Sequence, residues 1–337
     1  MSSVPKSTTM NIIMLFFITT LMVLVMASCS KSSGPLPEPT PPTPPPTPTP
    51  TFTTYTGTGA GPVAICADSS GNVWTANVTD NSVTKITQSG QMTTYPGTGE
   101  APEKIIFDGY NIWTCNAKNN SVTKVTQDGK IATYAGTGNE PVGITFDGSN
   151  VWTCNLLGNS VTKVTQSGLM TTYPLKIGKS PVDITFDGSN IWTVNGDSST
   201  TKISPDGEMT KFNLPPWGQI NIVSDQNGNV WVENFGLHSV SKITNTGQMT
   251  SYDLGSPLLT PLGITYSKYS KCVFTINGTD NTTYCSITKV EDGNCTTWHG
   301  PWTNDHYAIS ADKFGNLWVT GSDKNGDNSV TKVTLPK

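Results

Sequence analysis

Residues 53–62 read TTYTGTGAGP, and residues 93–102 read TTYPGTGEAP. The second copy closes a unit that recurs down the chain. The last unit, from about His306 to Thr334, stops one strand short of such a closing segment. A ring of repeats whose final unit takes its outer strand from the N-terminal side is how a β-propeller shuts. The expectation is an all-β fold: a seven-bladed β-propeller of four-stranded antiparallel blades, closed by an N-terminal strand on the last blade.

One aromatic position sets the frame: Trp74, Trp113, Trp152, Trp192, Trp231, Phe274 and Trp318. Their spacing of about 40 residues suits four-stranded blades. Within a unit, the first β-type run follows a proline (Pro62, Pro102, Pro141, Pro181, Pro261) and ends in Asp at 68, 108, 147, 187, 225 and 312. Gly- and Asn-containing turns follow, as in Asp147-Gly148-Ser149-Asn150, and both residues tolerate hairpin backbone angles. The runs N-V-W-T-x-N, S-V-T-K-[IV]-T and Q-M-T-T-Y complete the unit. They are rich in Val, Ile, Thr and aromatics, as sheets require. A lysine recurs in every third run: Lys85, Lys124, Lys163, Lys202, Lys242, Lys289 and Lys332. Lys–Asp pairs or networks are expected at the lower rim, the end bearing the Asp turns; lysines reaching solvent are the other reading.

The N-terminus reads as a targeting segment. Lys6 supplies a positive charge, residues 12–26 are apolar, and Met26-Ala27-Ser28-Cys29 follows. The pattern resembles a bacterial lipoprotein signal, which implies lipidation of Cys29 and a membrane partner through that lipid. Ordinary secretion without lipid is the other reading. Residues 34–51 are almost entirely Pro and Thr, a composition for an extended stalk rather than a core. The expected organisation is a signal over 1–28, a lipid-bearing Cys29 and stalk over 29–51, and the propeller over 52–337. The expected location is the bacterial cell envelope, as a monomer.

The chain has a net charge of −4 and contains no arginine. It lacks the fork that grips phosphate bidentately, and no basic run is present, which argues against nucleic-acid binding.

The repeat P-x-x-I-x-x-D-G-x-N-x-W-x-x-N…N-S-V-T-K-I-T-x-x-G-x-M-T-x-Y, over about residues 52–334, resembles that of the virginiamycin B lyase (streptogramin lyase) family, and NHL-type propeller repeats share it. The resemblance implies a seven-bladed propeller. It also implies His and Glu residues with a magnesium ion on one face, opening a cyclic lactone by elimination. The family places Glu three positions after the blade Trp. Here those positions are Asn77, Asn116, Asn155, Asn195, Asn234 and Asn277, and Gly321 in the last blade. The family also has a His just after a first-strand proline; here Val63, Glu103, Val142, Val182 and Leu262 stand there. The family's catalytic set is not matched, and magnesium is implied only if lyase chemistry persists.

The asparagine ring reads first as turn capping. Candidate ligand contacts come from segments that break the repeat at the upper face: Trp217, Asn234, Phe235, His299, Trp302 and Tyr307. Aromatic platforms beside polar groups suit glycans or peptides. Glu233, His238, Asp305 and His306 are the candidates for acid–base chemistry. No metal-ligand spacing appears. Lys104, Asp183 and Asn221 are expected to face the central channel as a structural network. Six cysteines remain beyond Cys29: Cys66, Cys115, Cys154, Cys272, Cys285 and Cys295. Export permits disulfides; Cys115 and Cys154 read as buried packing residues, and no pairing in the sixth unit is obvious. Three functions remain open: a noncatalytic binding module for protein or glycan, a divergent lyase, and a passive envelope protein.

Overall fold

The strand Thr51–Thr56 lies antiparallel to Asn328–Thr334, with Thr51 opposite Thr334 and Thr56 opposite Ser329. This pairing completes the seventh of seven four-stranded sheets, so the ring closes where the sequence indicates. The computed structural model describes residues 48–216, 218–256, 258–279, 285–302, 308–322 and 328–336. Cys29, Trp217, Asp305, His306 and Tyr307 lie outside the described residues. None of the six described cysteines forms a disulfide, and Cys115 and Cys154 are fully buried.

Blade one shows the unit: Pro62–Ala67, Val73–Asn77, Ser82–Ile86 and Met92–Pro96, each antiparallel to the next. The second strand is buried along its whole length. That is the signature of a sheet covered on both faces, here by its two neighbouring blades. The first strand slips register between Pro62 and Ala64. Proline has no N–H for the ladder, so a bulge falls there.

The lower rim corrects one expectation. Each blade Trp faces the ladder lysine across the strands, as Trp74 faces Lys85. The ammonium therefore lies over the indole, 5.0 Å from the ring centre for Lys85 and 5.4 Å for Lys332 on Trp318. The Asp is already engaged. Asp108 accepts from Trp113 Nε1 at 2.7 Å and from the backbone N–H groups of Tyr110 and Asn111. Burial opposes ionisation of Asp108, but these hydrogen bonds outweigh it and hold its carboxyl below the ordinary value. Among the ladder lysines and these aspartates, only Lys242 and Asp225 form an ion pair, at 3.9 Å. Blade six confirms the logic: Phe274 has no N–H, and Ser267 stands where the Asp would be.

A fourth-strand aromatic stacks on each of the six tryptophans, as Tyr95 does on Trp74 at 5.8 Å. In blade seven that ring is Tyr55, stacked on Trp318 at 6.0 Å. The closing strand thus supplies both the hydrogen bonds and the aromatic that its blade lacks.

Candidate functional site

The asparagine ring is built into the upper ends of the blades. Asn116 is fully buried. Its Oδ1 accepts from Thr114 Oγ1 at 2.9 Å, and its Nδ2 donates to Ser121 Oγ at 2.8 Å and to Thr123 Oγ1 at 3.0 Å. Blades one, three and four repeat this pattern, and blade six retains the Thr275 and Thr288 contacts. These amides are spent on holding the second and third strands together. They occupy the positions where the family resemblance calls for glutamate.

Blade five departs from the rule. Val232 replaces the threonine, so Asn234 Nδ2 keeps Ser239 and Ser241 but its buried Oδ1 has no partner. Glu233 stands beside it, where other blades carry Ala76, Cys115, Cys154, Val194, Ile276 and Thr320. Its side chain reaches the central channel rather than an upper-face pocket. Asn221 Nδ2 donates to Glu233 Oε2 at 2.6 Å and to Leu262 O at 3.1 Å. Lys104 Nζ donates to Asn221 Oδ1 at 2.5 Å and lies 3.5 Å from Asp183 Oδ2. Asp183 also accepts the Ile222 N–H at 3.2 Å. Lys104, Asp183 and Asn221 therefore meet as the repeat pattern indicates.

Charge in this cluster follows from one cation serving two buried carboxyls. Burial pushes the Glu233 carboxyl up to about 8, against the Asn221 hydrogen bond and the Lys104 charge. Burial likewise raises Asp183, with Lys104 opposing. For Lys104, burial works against the ammonium, but the charges of Asp183 and Glu233 outweigh it and raise its pKa. At neutral pH Glu233 is the member that keeps its proton, leaving Lys104 to Asp183. Glu233 Oε1 is buried without a partner. Sequence reasoning missed that Glu233 belongs to this cluster. The signal was present: Asn221 directly precedes the strand Ile222–Ser224 and continues its register opposite Glu233, whose N–H donates to Asn221 O at 3.3 Å.

His238 is separate. It takes the left-handed corner, φ 51°, that Asn81, Asn120 and Asn159 take in earlier blades. Those asparagines tie one blade to the next through backbone N–H groups, as Asn81 Oδ1 does with Ala101. His238 makes the same tie with the opposite polarity: its Nδ1 donates to Leu259 O at 3.2 Å. Glu233 and His238 thus hold different partners. Among the described residues no group of His, Cys, Asp and Glu could hold a metal ion. A family-type magnesium does not fit: the ring positions carry neutral amides, and Lys104 already supplies the positive charge between the channel carboxyls.

The remaining candidates divide by exposure. Trp302 is 3% exposed and packs edge-on to Phe52 at 5.1 Å. It packs into a core cluster with Phe274, Ile276 and Leu317, which corrects the expectation of an open platform. His299 is exposed. Phe235 begins a short 3-10 turn, Phe235–Leu237, and both named residues are 42% exposed; Leu258 in the next upper loop is 45% exposed.

Comparison with known proteins gives the same architecture. The structure of a streptogramin B lyase superposes with a TM-score of 0.73 at 21% identity, covering 85% of this chain and 98% of that one. Virginiamycin B lyase from Staphylococcus aureus gives 0.72 at 20%, covering 85% and 100%. A catalytically inactive form of the latter with quinupristin gives 0.71 at 19%, covering 85% and 100%. At these identities the likeness is one of fold. No curated protein matches the chain. The sequence profile of the virginiamycin B lyase family matches residues 48–216, and by that match, with the seven closed blades, this chain belongs to the virginiamycin B lyase family.

Proposed function

We infer that this member is a noncatalytic binding propeller, using the blade-five corner of its upper face to hold a protein or glycan. The observation that carries the reading is the contrast within the repeat. Asn77, Asn116, Asn155, Asn195 and Asn277 are buried and committed to strand contacts. Among the described residues, blade five alone combines exposed apolar residues, Phe235 and Leu237, with an incompletely paired Asn234; blade three exposes Leu157 at the same corner over a fully committed Asn155. Exposed apolar side chains with polar neighbours suit a partner that covers them. The lipoprotein-like N-terminus supports display at the bacterial envelope through Cys29.

The test is surface plasmon resonance of the full-length protein against purified envelope polysaccharide and envelope proteins. The F235A/L237A double variant is expected to bind roughly tenfold or more weakly, as loss of two apolar contacts implies, with an unchanged melting temperature. Equal binding by both proteins would remove the assignment. Metabolic labelling with a fatty-acid analogue, present in the wild type and absent in Cys29→Ala, tests the anchor.

A divergent lyase is the second reading. One observation favours it: a carboxyl raised to about 8 is a competent general acid near neutrality. Glu233→Gln would then abolish a turnover that the wild type shows.

A further inference from the structure

The lower rim carries an inter-blade lysine contact that differs from one interface to the next. Between blades seven and one, the Gln88 carboxamide is held from both sides. Its Nε2 donates to Asp312 Oδ2 at 2.9 Å, and its Oε1 accepts from Lys332 Nζ at 2.7 Å. Gln127 accepts from Lys85 between blades one and two, and Gln166 from Lys124 between blades two and three. Asn245 O accepts from Lys202 between blades four and five, at 2.9 Å. Lys242 turns to Asp225, and Lys289 to Glu291.

Between blades three and four the equivalent residue is Pro205, which has no carboxamide to offer. Lys163 alone in the ladder has no hydrogen bond or ion pair among the described residues; its ammonium lies 5.8 Å from the Trp152 ring centre. A cavity of about 480 Å³ opens there, with Asp147, Trp152, Lys163 and Tyr173 on one wall and Phe186 and Met209 on the other. Asp147 and Trp152 are half-buried, whereas Asp68, Asp108, Asp187, Asp225 and Asp312 and the other five blade tryptophans are buried. Tyr173 is 40% exposed. The turn has also drawn back. A Cβ on Gly90, Gly129 or Gly168 would strike the tyrosine of the preceding blade, but one on Gly207 would meet nothing within 4 Å.

We propose that this slot binds a primary carboxamide carried on a short aliphatic chain, the side chain of a glutamine-containing peptide, with Lys163 and Asp147 clamping the amide as Lys332 and Asp312 clamp Gln88. The amide oxygen accepts from Lys163 and its N–H donates to Asp147. The Trp152 and Tyr173 faces cover the methylenes. The size is that of small-ligand sites, and the geometry discriminates. A carboxylate satisfies the lysine but opposes the aspartate; an ammonium does the reverse.

The experiment is titration of the full-length protein with N-acetyl-glutamine methylamide, followed by the Trp152 indole N–H resonance, which is assigned with Trp152→Phe. A saturable shift is expected. Affinity is expected to be roughly tenfold or more weaker for the glutamate analogue, and for the wild-type ligand in Lys163→Met and in Pro205→Gln, as loss of a charge-assisted hydrogen bond implies. Pro205→Gln fills the slot with the repeat's own residue. If that variant fails to fold, Lys163→Met carries the test. No saturable shift, undiminished binding in Lys163→Met, or tighter binding of N-acetylglucosamine than of the glutamine probe would each overturn the proposal.

Discussion

Lys104 of blade two donates to Asn221 of blade five across 2.5 Å, so one ammonium joins blades three places apart in the ring. The same ammonium is the counter-charge of Asp183. Replacing it with methionine would leave two inward carboxyls without a cation. Lys104→Met is expected to lower stability by about 2–3 kcal/mol, below the full penalty for breaking a buried pair because the lysine side chain is 33% exposed. Chemical denaturation measures this; wild-type stability in the variant would show that the cluster contributes nothing.

Glu233 gives the fold a pH dependence of definite sign. Its carboxyl is raised from 4.5 to about 8 in the folded state. Between those values the folded protein holds a proton that the unfolded chain has released, so this group's contribution is complete below about 4.5. It declines as pH rises toward 8 and is lost above it. Asp183 is shifted in the same direction. Denaturation at a series of pH values is expected to show this decline in the wild type and a flatter profile in Glu233→Gln. Parallel profiles would contradict the account.

The asparagine ring predicts unequal costs for the same substitution. Asn116→Ala takes the acceptor from the buried Thr114 hydroxyl and a donor from Ser121 and Thr123, which keep Asn119 and Thr133, for about 1–3 kcal/mol. Asn234→Ala is expected to cost less, because its Oδ1 already lacks a partner. Val232→Thr restores the missing donor and is expected to stabilise by about 0.5–1 kcal/mol. A destabilised Val232→Thr would mean that Asn234 does not follow the ring's geometry.

These unequal costs also mark what the sequence disclosed. The spacing of Trp74 to Trp318 and the orphan TTYTGTGAGP segment carried the blade number and closure, because each blade buries the same residues. The channel group Lys104, Asp183 and Asn221 was legible from its place at the inner ends of the first strands, two residues after the proline in blades two and four. Lys–Asp contact was legible only at Lys242–Asp225 and through Gln88 at Lys332 and Asp312; elsewhere cross-strand register, which puts Lys85 on Trp74, decides the ammonium's place. Burial of Trp302 was not legible. It depends on Phe52, contributed from the far end of the chain. The slot at Pro205 was hidden for a related reason: a missing side chain shows only when blades are stacked.

Closure at the lower rim is testable with a matched pair of glycines. Gly90 and Gly207 share φ near +86°, at 84° and 86°. A Cβ at Gly90 would lie 2.1 Å from the Tyr55 ring, whereas at Gly207 it meets open space. Backbone strain is thus similar, and the difference between Gly90→Ala and Gly207→Ala isolates the clash with the closing strand. Gly90→Ala is expected to be the less stable by about 1–3 kcal/mol. Equal melting temperatures would mean that Tyr55 does not pack there.

The ring in this chain holds strand-binding amides at the positions where the family resemblance calls for glutamate. Incubation of the protein with quinupristin and magnesium, with chromatographic separation of closed and opened lactone, tests it most directly. The lactone is expected to stay closed, in the wild type and in Glu233→Gln alike. Magnesium-dependent opening by the wild type that disappears in Glu233→Gln would contradict it.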